Sequence, residues 1–168
     1  MKLKVTKMLT ILVVFAFIIG CNMTEEEAID AAKETFTVGV KSESQQPNQE
    51  TESFSYFLPP ILNVEEKNGN NLILSRDNQI YLIFSNPAED DLSEVNFEEN
   101  KVFEEKTILI ETLKNEETFN YLIISPFGDN EYKIIVGRGG EKGTTITDIQ
   151  NINDSIETII EIITSVSY

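Results

Sequence analysis

The spacing of apolar positions changes several times along the chain, and each change marks an element. Met8 to Ile19 is an almost unbroken apolar run with no polar face. Its twelve residues fall short of the roughly 20 that a membrane-spanning helix needs. Residues 24–36 read as a short helix. Thr24 and Glu27 stand at capping-box spacing, and Ala28, Ile29, Ala32 and Phe36 recur at helical intervals. Lys41 to Ser53 holds no large apolar side chain and reads as a flexible linker. From Phe54 the pattern shortens to strands. The expected strands are 54–58, 61–66, 71–76, 79–85, 107–113, 118–125 and 131–137, the last of the clear ones. Asn68-Gly69, Asp77-Asn78, Asn115-Glu116-Glu117 and 126–130 mark turns between them. One short helix is expected near 88–95. The chain then returns to helical spacing: Ile152, Ile156, Ile159, Ile160, Ile163 and Val166 make one apolar stripe, with Glu157, Thr158 and Glu161 facing water. Asn153 or Asp154 is the expected cap.

Strands joined by tight turns are antiparallel neighbours, and the final helix must bury its isoleucine face on their sheet. The predicted fold class is α+β: an antiparallel sheet of six or seven strands packed by a C-terminal amphipathic helix. A short N-terminal helix on a polar tether precedes it. The expected divisions are 1–20, 21–53 and 54–168. No βαβ alternation and no phosphate-binding loop accompany this pattern, which excludes a Rossmann-type enzyme.

Lys2, Lys4 and Lys7 precede the first apolar run, and Ile18-Ile19-Gly20-Cys21 ends it. A basic start and an apolar stretch of this length fit a secretory signal. The ending resembles the lipobox of bacterial lipoproteins, although Ile19 stands where a small residue is commoner. The resemblance implies a diacylglycerol on the Cys21 thiol and cleavage between Gly20 and Cys21. Cys21 is the single cysteine, so it has no disulfide partner within the chain, and lipidation gives it a role. The expected location is the extracytoplasmic face of the cell membrane, held by lipid on Cys21. The bias towards Ile, Lys, Asn and Glu points to a low-GC Gram-positive source.

Charge narrows the partners. The chain has 13 basic and 29 acidic residues, a net charge of −16, and removal of residues 1–20 takes three of the lysines with it. Such a balance repels nucleic acid and anionic headgroups alike and suits a partner with a basic surface. The absence of histidine removes Ser-His-Asp triads, Cys-His dyads and histidine zinc sites. No cofactor and no metal are expected. Paired acids could serve a carboxylate-dependent hydrolase. The clusters are Glu89-Asp90-Asp91, Glu98-Glu99, Glu104-Glu105 and Glu116-Glu117, and such runs are usually solvated. Hard oxygen ligands at 89–91, or at Asp148, Asn151, Asn153 and Asp154, would suit calcium in a structural role, without the EF-hand spacing. The densest glycine cluster, 137–143, is a possible anion-binding loop in which Arg138, Gly139, Gly140 and Lys142 would act together. It lacks the trailing Lys-Ser/Thr of a P-loop, and its plainer reading is a mobile connection. Tyr56, Tyr81, Tyr121 and Tyr132 fall in expected strands, where aromatics line a binding face or, more often, pack across strands.

Phe54-Ser55-Tyr56-Phe57-Leu58-Pro59, the hairpins after it, Tyr132-Lys133-Ile134-Ile135-Val136-Gly137 and the final amphipathic helix together resemble the PsbP/Mog1-like superfamily. The resemblance covers 54–168, implies a non-enzymatic binding or assembly role, and transfers no catalytic residues. The expected function is therefore a membrane-anchored binding or accessory module for a cell-envelope protein.

Overall fold

The structure, a computed structural model, describes residues 23–103 and 106–168. The expected export signal, Gly20, Cys21 and the Glu104-Glu105 pair lie outside the described residues.

The chain is α+β. Helix α1 (Glu25–Gly39) precedes a two-stranded ribbon, β1 (Gln49–Glu50) and β2 (Ser55–Tyr56). Strands β3 (Asn63–Asn68), β4 (Asn71–Arg76) and β5 (Gln79–Ser85) follow as hairpins. Helix α2 (Val95–Phe103) crosses over to β6 (Leu109–Lys114), β7 (Phe119–Gly128), β8 (Glu131–Arg138) and β9 (Glu141–Asp148). A single 3-10 turn, Ile149–Asn151, leads into α3 (Ile152–Ile163). The main sheet runs β3-β4-β5-β9-β8-β7-β6, antiparallel throughout.

Pleat alternation gives this sheet two different faces. Leu72, Leu74, Tyr81, Ile83, Leu122, Ile124, Ile134 and Val136 point to α3 and meet Ile152, Ile156, Ile159, Ile160 and Ile163. Helix α1 joins the same core through Ala28, Ala32 and Phe36, each almost wholly buried. Whether this helix docks was open from the sequence; it does. The Tyr132 hydroxyl donates to Glu25 at 2.7 Å, and Lys33 pairs with Glu111 of β6 at 3.0 Å. The other face carries a smaller core of Phe97, Phe119, Tyr121, Ile123 and Ile135 beneath α2.

Several sequence expectations are corrected. The crossover helix lies at 95–103, not 88–95. Asn86 and Asp90 accept the N–H groups of Ala88 and Leu92, which holds that stretch in turns. The expected strand 54–58 shrinks to Ser55–Tyr56, because Phe57 N–H donates to Ser165 Oγ and Leu58 N–H to Asn48 Oδ1 instead of to a neighbouring strand. Strand β7 runs on to Gly128, so the turn before β8 is only Asp129-Asn130, with Asn130 at φ 62°. The N-cap of the last helix is Asn151, which makes no side-chain cap; Asp148 instead caps the preceding 3-10 turn by accepting from Gln150 and Asn151 N–H, and Asn153 and Asp154 lie inside the first turn of α3. Thr158 is buried, not solvent-facing.

The largest difference is β9, a full eight-residue strand where a loop was expected. Its core-facing positions are Glu141, Gly143, Thr145 and Thr147, so no apolar alternation announces it. Gly143 is required by packing: a Cβ there would lie 2.3 Å from Ile159 Cγ2 of α3.

Candidate functional site

The glycine cluster is a packed hairpin turn. Gly139 (φ 52°) and Gly140 connect β8 to β9. The 86–96 loop lies directly on them, since a Cβ at Gly139 would meet Asp90 O at 2.3 Å and one at Gly140 would meet Asn86 O at 2.7 Å. Gly139 N–H and both glycine carbonyls are engaged. Gly139 N–H donates to Phe119 O at 3.0 Å, and Asn96 Nδ2 donates to both glycine carbonyls, at 3.3 and 3.0 Å. Arg138 Nη2 donates to Asp91 Oδ2 at 2.6 Å. Arg138 is paired with Glu141 across β8 and β9, on the α3 face, so Lys142 points to the opposite face. The four residues expected to act together thus do not converge: three secure the turn and one enters a separate groove.

Beside this turn lies a carboxylate that sequence reasoning did not single out. Glu141 is 4% exposed, and its Oε1 accepts from the Tyr168 hydroxyl at 2.5 Å. That hydroxyl also lies 2.7 Å from Ser85 Oγ. Burial pushes the Glu141 carboxyl above the usual carboxylate range, with the Tyr168 bond opposing. Burial and the bond to Glu141 together hold the Tyr168 hydroxyl well above its ordinary value.

The sequence acid clusters are dispersed into local roles. Glu89 accepts from Ser93 Oγ at 2.5 Å, and Asp91 holds Arg138. Glu98 pairs with Lys101 at 3.5 Å, and Asp154 with Arg76 at 3.0 Å. Among the described residues, no three acidic, cysteine or histidine side chains are grouped to hold a metal ion. Tyr56, Tyr81 and Tyr121 are core residues, not the lining of a binding face.

Among the grooves of the described residues, two have a substantial apolar lining: one lies between the helices α1 and α3, the other on the opposite face of the sheet. Between α1 and α3 lies a groove of about 480 Å³. Ala31, Val38, Gly39 and Ile160 form its apolar part; Glu34, Glu43, Glu157 and Glu161 rim it; among the described residues no lysine or arginine lines it. Gly39 lets the helices close at one end, since a Cβ there would sit 2.8 Å from Ile160 Cδ1. Glu161 is pushed above the usual carboxylate range by burial and by Glu157 one turn earlier. Val38 is 60% exposed, an apolar side chain on the groove's lip. The sequence showed Glu157 and Glu161 as a solvated stripe; only the docking of α1 turns that stripe into one wall of a groove.

The second groove, about 570 Å³, lies under α2 on the other face. Leu82, Phe84 and Val95 give it an apolar part, and Glu89, Glu99, Lys133 and Lys142 its charged groups.

Compared with known proteins, the chain matches no family model and no curated sequence. Among the described residues, no helix is long and apolar enough to cross a membrane.

Proposed function

We propose that this chain is a non-enzymatic binding module of the cell envelope, anchored by lipid on Cys21, whose partner is an envelope protein presenting a basic segment. The observation that carries the reading is the α1–α3 groove: four carboxylates around an apolar floor, with no cation among the described residues that line it. Glutamates crowded in this way repel one another; Glu161 is raised first by burial and then by the charge of Glu157. A lysine- or arginine-bearing segment with an apolar face relieves that repulsion and covers Val38. A helix laid along α1 and α3 is the mode that suits such a groove. The net charge of −16 steers a basic partner from a distance. The resemblance to the PsbP/Mog1-like superfamily supports the same non-catalytic role.

The test is in-cell crosslinking of the lipoprotein, affinity capture and mass spectrometry, beside Cys21→Ala and Glu157→Lys/Glu161→Lys variants. The expected result is one dominant envelope protein, depleted in the unanchored control and in the charge-reversed groove. Absence of any enriched partner overturns the reading. Undiminished capture by the charge-reversed variant removes the groove from it.

A further inference from the structure

The outer face of the sheet is only half covered. Helix α2 seals the β7–β8 side, its Phe97 packing with Phe119, Tyr121, Ile123 and Ile135. Over the central strands β5 and β9 the face stays open, leaving Ile80, Leu82 and Ile146 exposed by 45, 50 and 36%. Register places Leu82 between Ile73 and Thr144, and Phe84 between Asn71 and Lys142. The apolar strip therefore runs from the open sheet towards α2 and ends at an amine. Lys142 Nζ sits 5.6 Å from the centre of the Phe84 ring. Among the described residues it has no carboxylate within 4.0 Å and donates no hydrogen bond.

A half-buried ammonium held only by a ring face is a stability cost unless something compensates it. Desolvation accordingly depresses Lys142, and Glu99 opposes that shift only in part. Asn96 and Asn100 place amide groups in the same groove. Glu89, Glu99 and Lys133 also line the groove, but among the described residues Lys142 itself has no carboxylate within ion-pair distance. An exposed apolar strip leading to that amine matches a molecule with an acyl chain and an anionic head.

We propose that this groove is a binding site for a free, long-chain amphiphile with an anionic head, the chain lying along Leu82 and Phe84 and the head at Lys142. The site is on the opposite face from the α1–α3 groove and does not depend on the partner reading.

The full-length chain in its membrane is labelled with a diazirine-bearing fatty acid, and the labelled peptides are mapped by mass spectrometry. Label is expected in β5 and at the start of α2. Lys142→Met lowers it by about tenfold, the loss of one charge-assisted contact. Lys142→Arg retains it, and Glu99→Gln, which removes the nearest competing carboxylate, raises it. A diazirine alcohol of the same chain length labels weakly. Equal labelling of wild type and Lys142→Met, or no label in β5 and α2, overturns the proposal. So does labelling of these segments by a bilayer-resident diazirine phosphatidylglycerol but not by the free acid, because the face then rests on lipid and holds no single amphiphile.

Discussion

Glu141 shows how one residue can set the pH response of the whole domain. Its carboxyl is buried at the start of β9, and burial outweighs the hydrogen bond that Tyr168 donates to it. The folded-state pKa is therefore above the unfolded value of about 4.3. A raised carboxyl contributes stability that is fully present below the unfolded pKa and is lost as pH rises through the folded one. At neutral pH the native state carries the cost of a buried charge. Glu141→Gln keeps an oxygen for Tyr168 and removes that cost. The variant should melt at or above the wild-type temperature at pH 7, and the gap should narrow towards pH 4. Melting curves across that range decide it: a variant clearly less stable at pH 7 shows that the ionised form is the one the fold favours. None of this was legible in the sequence, where Glu141 is one acid among many beside glycines; only the β5–β9–β8 register buries it.

At the scale of elements, legibility followed apolar periodicity. Strands β4 and β5 were read to the residue because Leu72, Leu74, Tyr81 and Ile83 alternate with outward positions. The isoleucine stripe of α3 and the capping box of α1 were equally plain. Strand β9 was missed because its inward side is glutamate, glycine and threonine; Gly143 is small for the sake of Ile159, and a small residue leaves no hydrophobic signal. The α1–α3 groove was hidden for a related reason. Alanine and phenylalanine at helical spacing show that a helix has an apolar face, not where that face goes. The structure puts Phe36 at 0% exposure in the main core. Phe36→Ala should cost about 3–5 kcal/mol in chemical denaturation, as for other buried phenylalanines. A loss below about 1 kcal/mol, with an unchanged denaturant slope, would mean that α1 contributes little to folding and that the groove it walls is not permanent.

At the scale of the molecule, the sheet divides the chemistry. On the α1–α3 side a groove between the helices presents carboxylates and no lysine or arginine among the described residues; on the other, beside α2, apolar residues meet a mixed set of charges that includes Lys142. The edge strand β3 is no third surface: Glu65, Glu66 and Lys67, with a bulge between Val64 and Glu66, discourage strand addition there. The two grooves should answer salt differently, because they draw on different forces. The recognition proposed for the α1–α3 groove would draw on exposed glutamates and on the long-range field of a chain at −16, and both are screened as the Debye length shrinks from about 10 Å at 0.1 M towards 3 Å at 1 M. Amphiphile binding depends on acyl burial against Leu82 and Phe84 and on a single half-buried contact at Lys142, which salt reaches poorly. Raising salt from 0.05 to 0.5 M should therefore lower partner capture by about tenfold or more while photolabelling of β5 changes less than about twofold. Equal loss at both sites would show that the second groove works by surface charge and not by a buried head, and loss at neither would show that the first is held by its apolar floor, with the glutamates as bystanders.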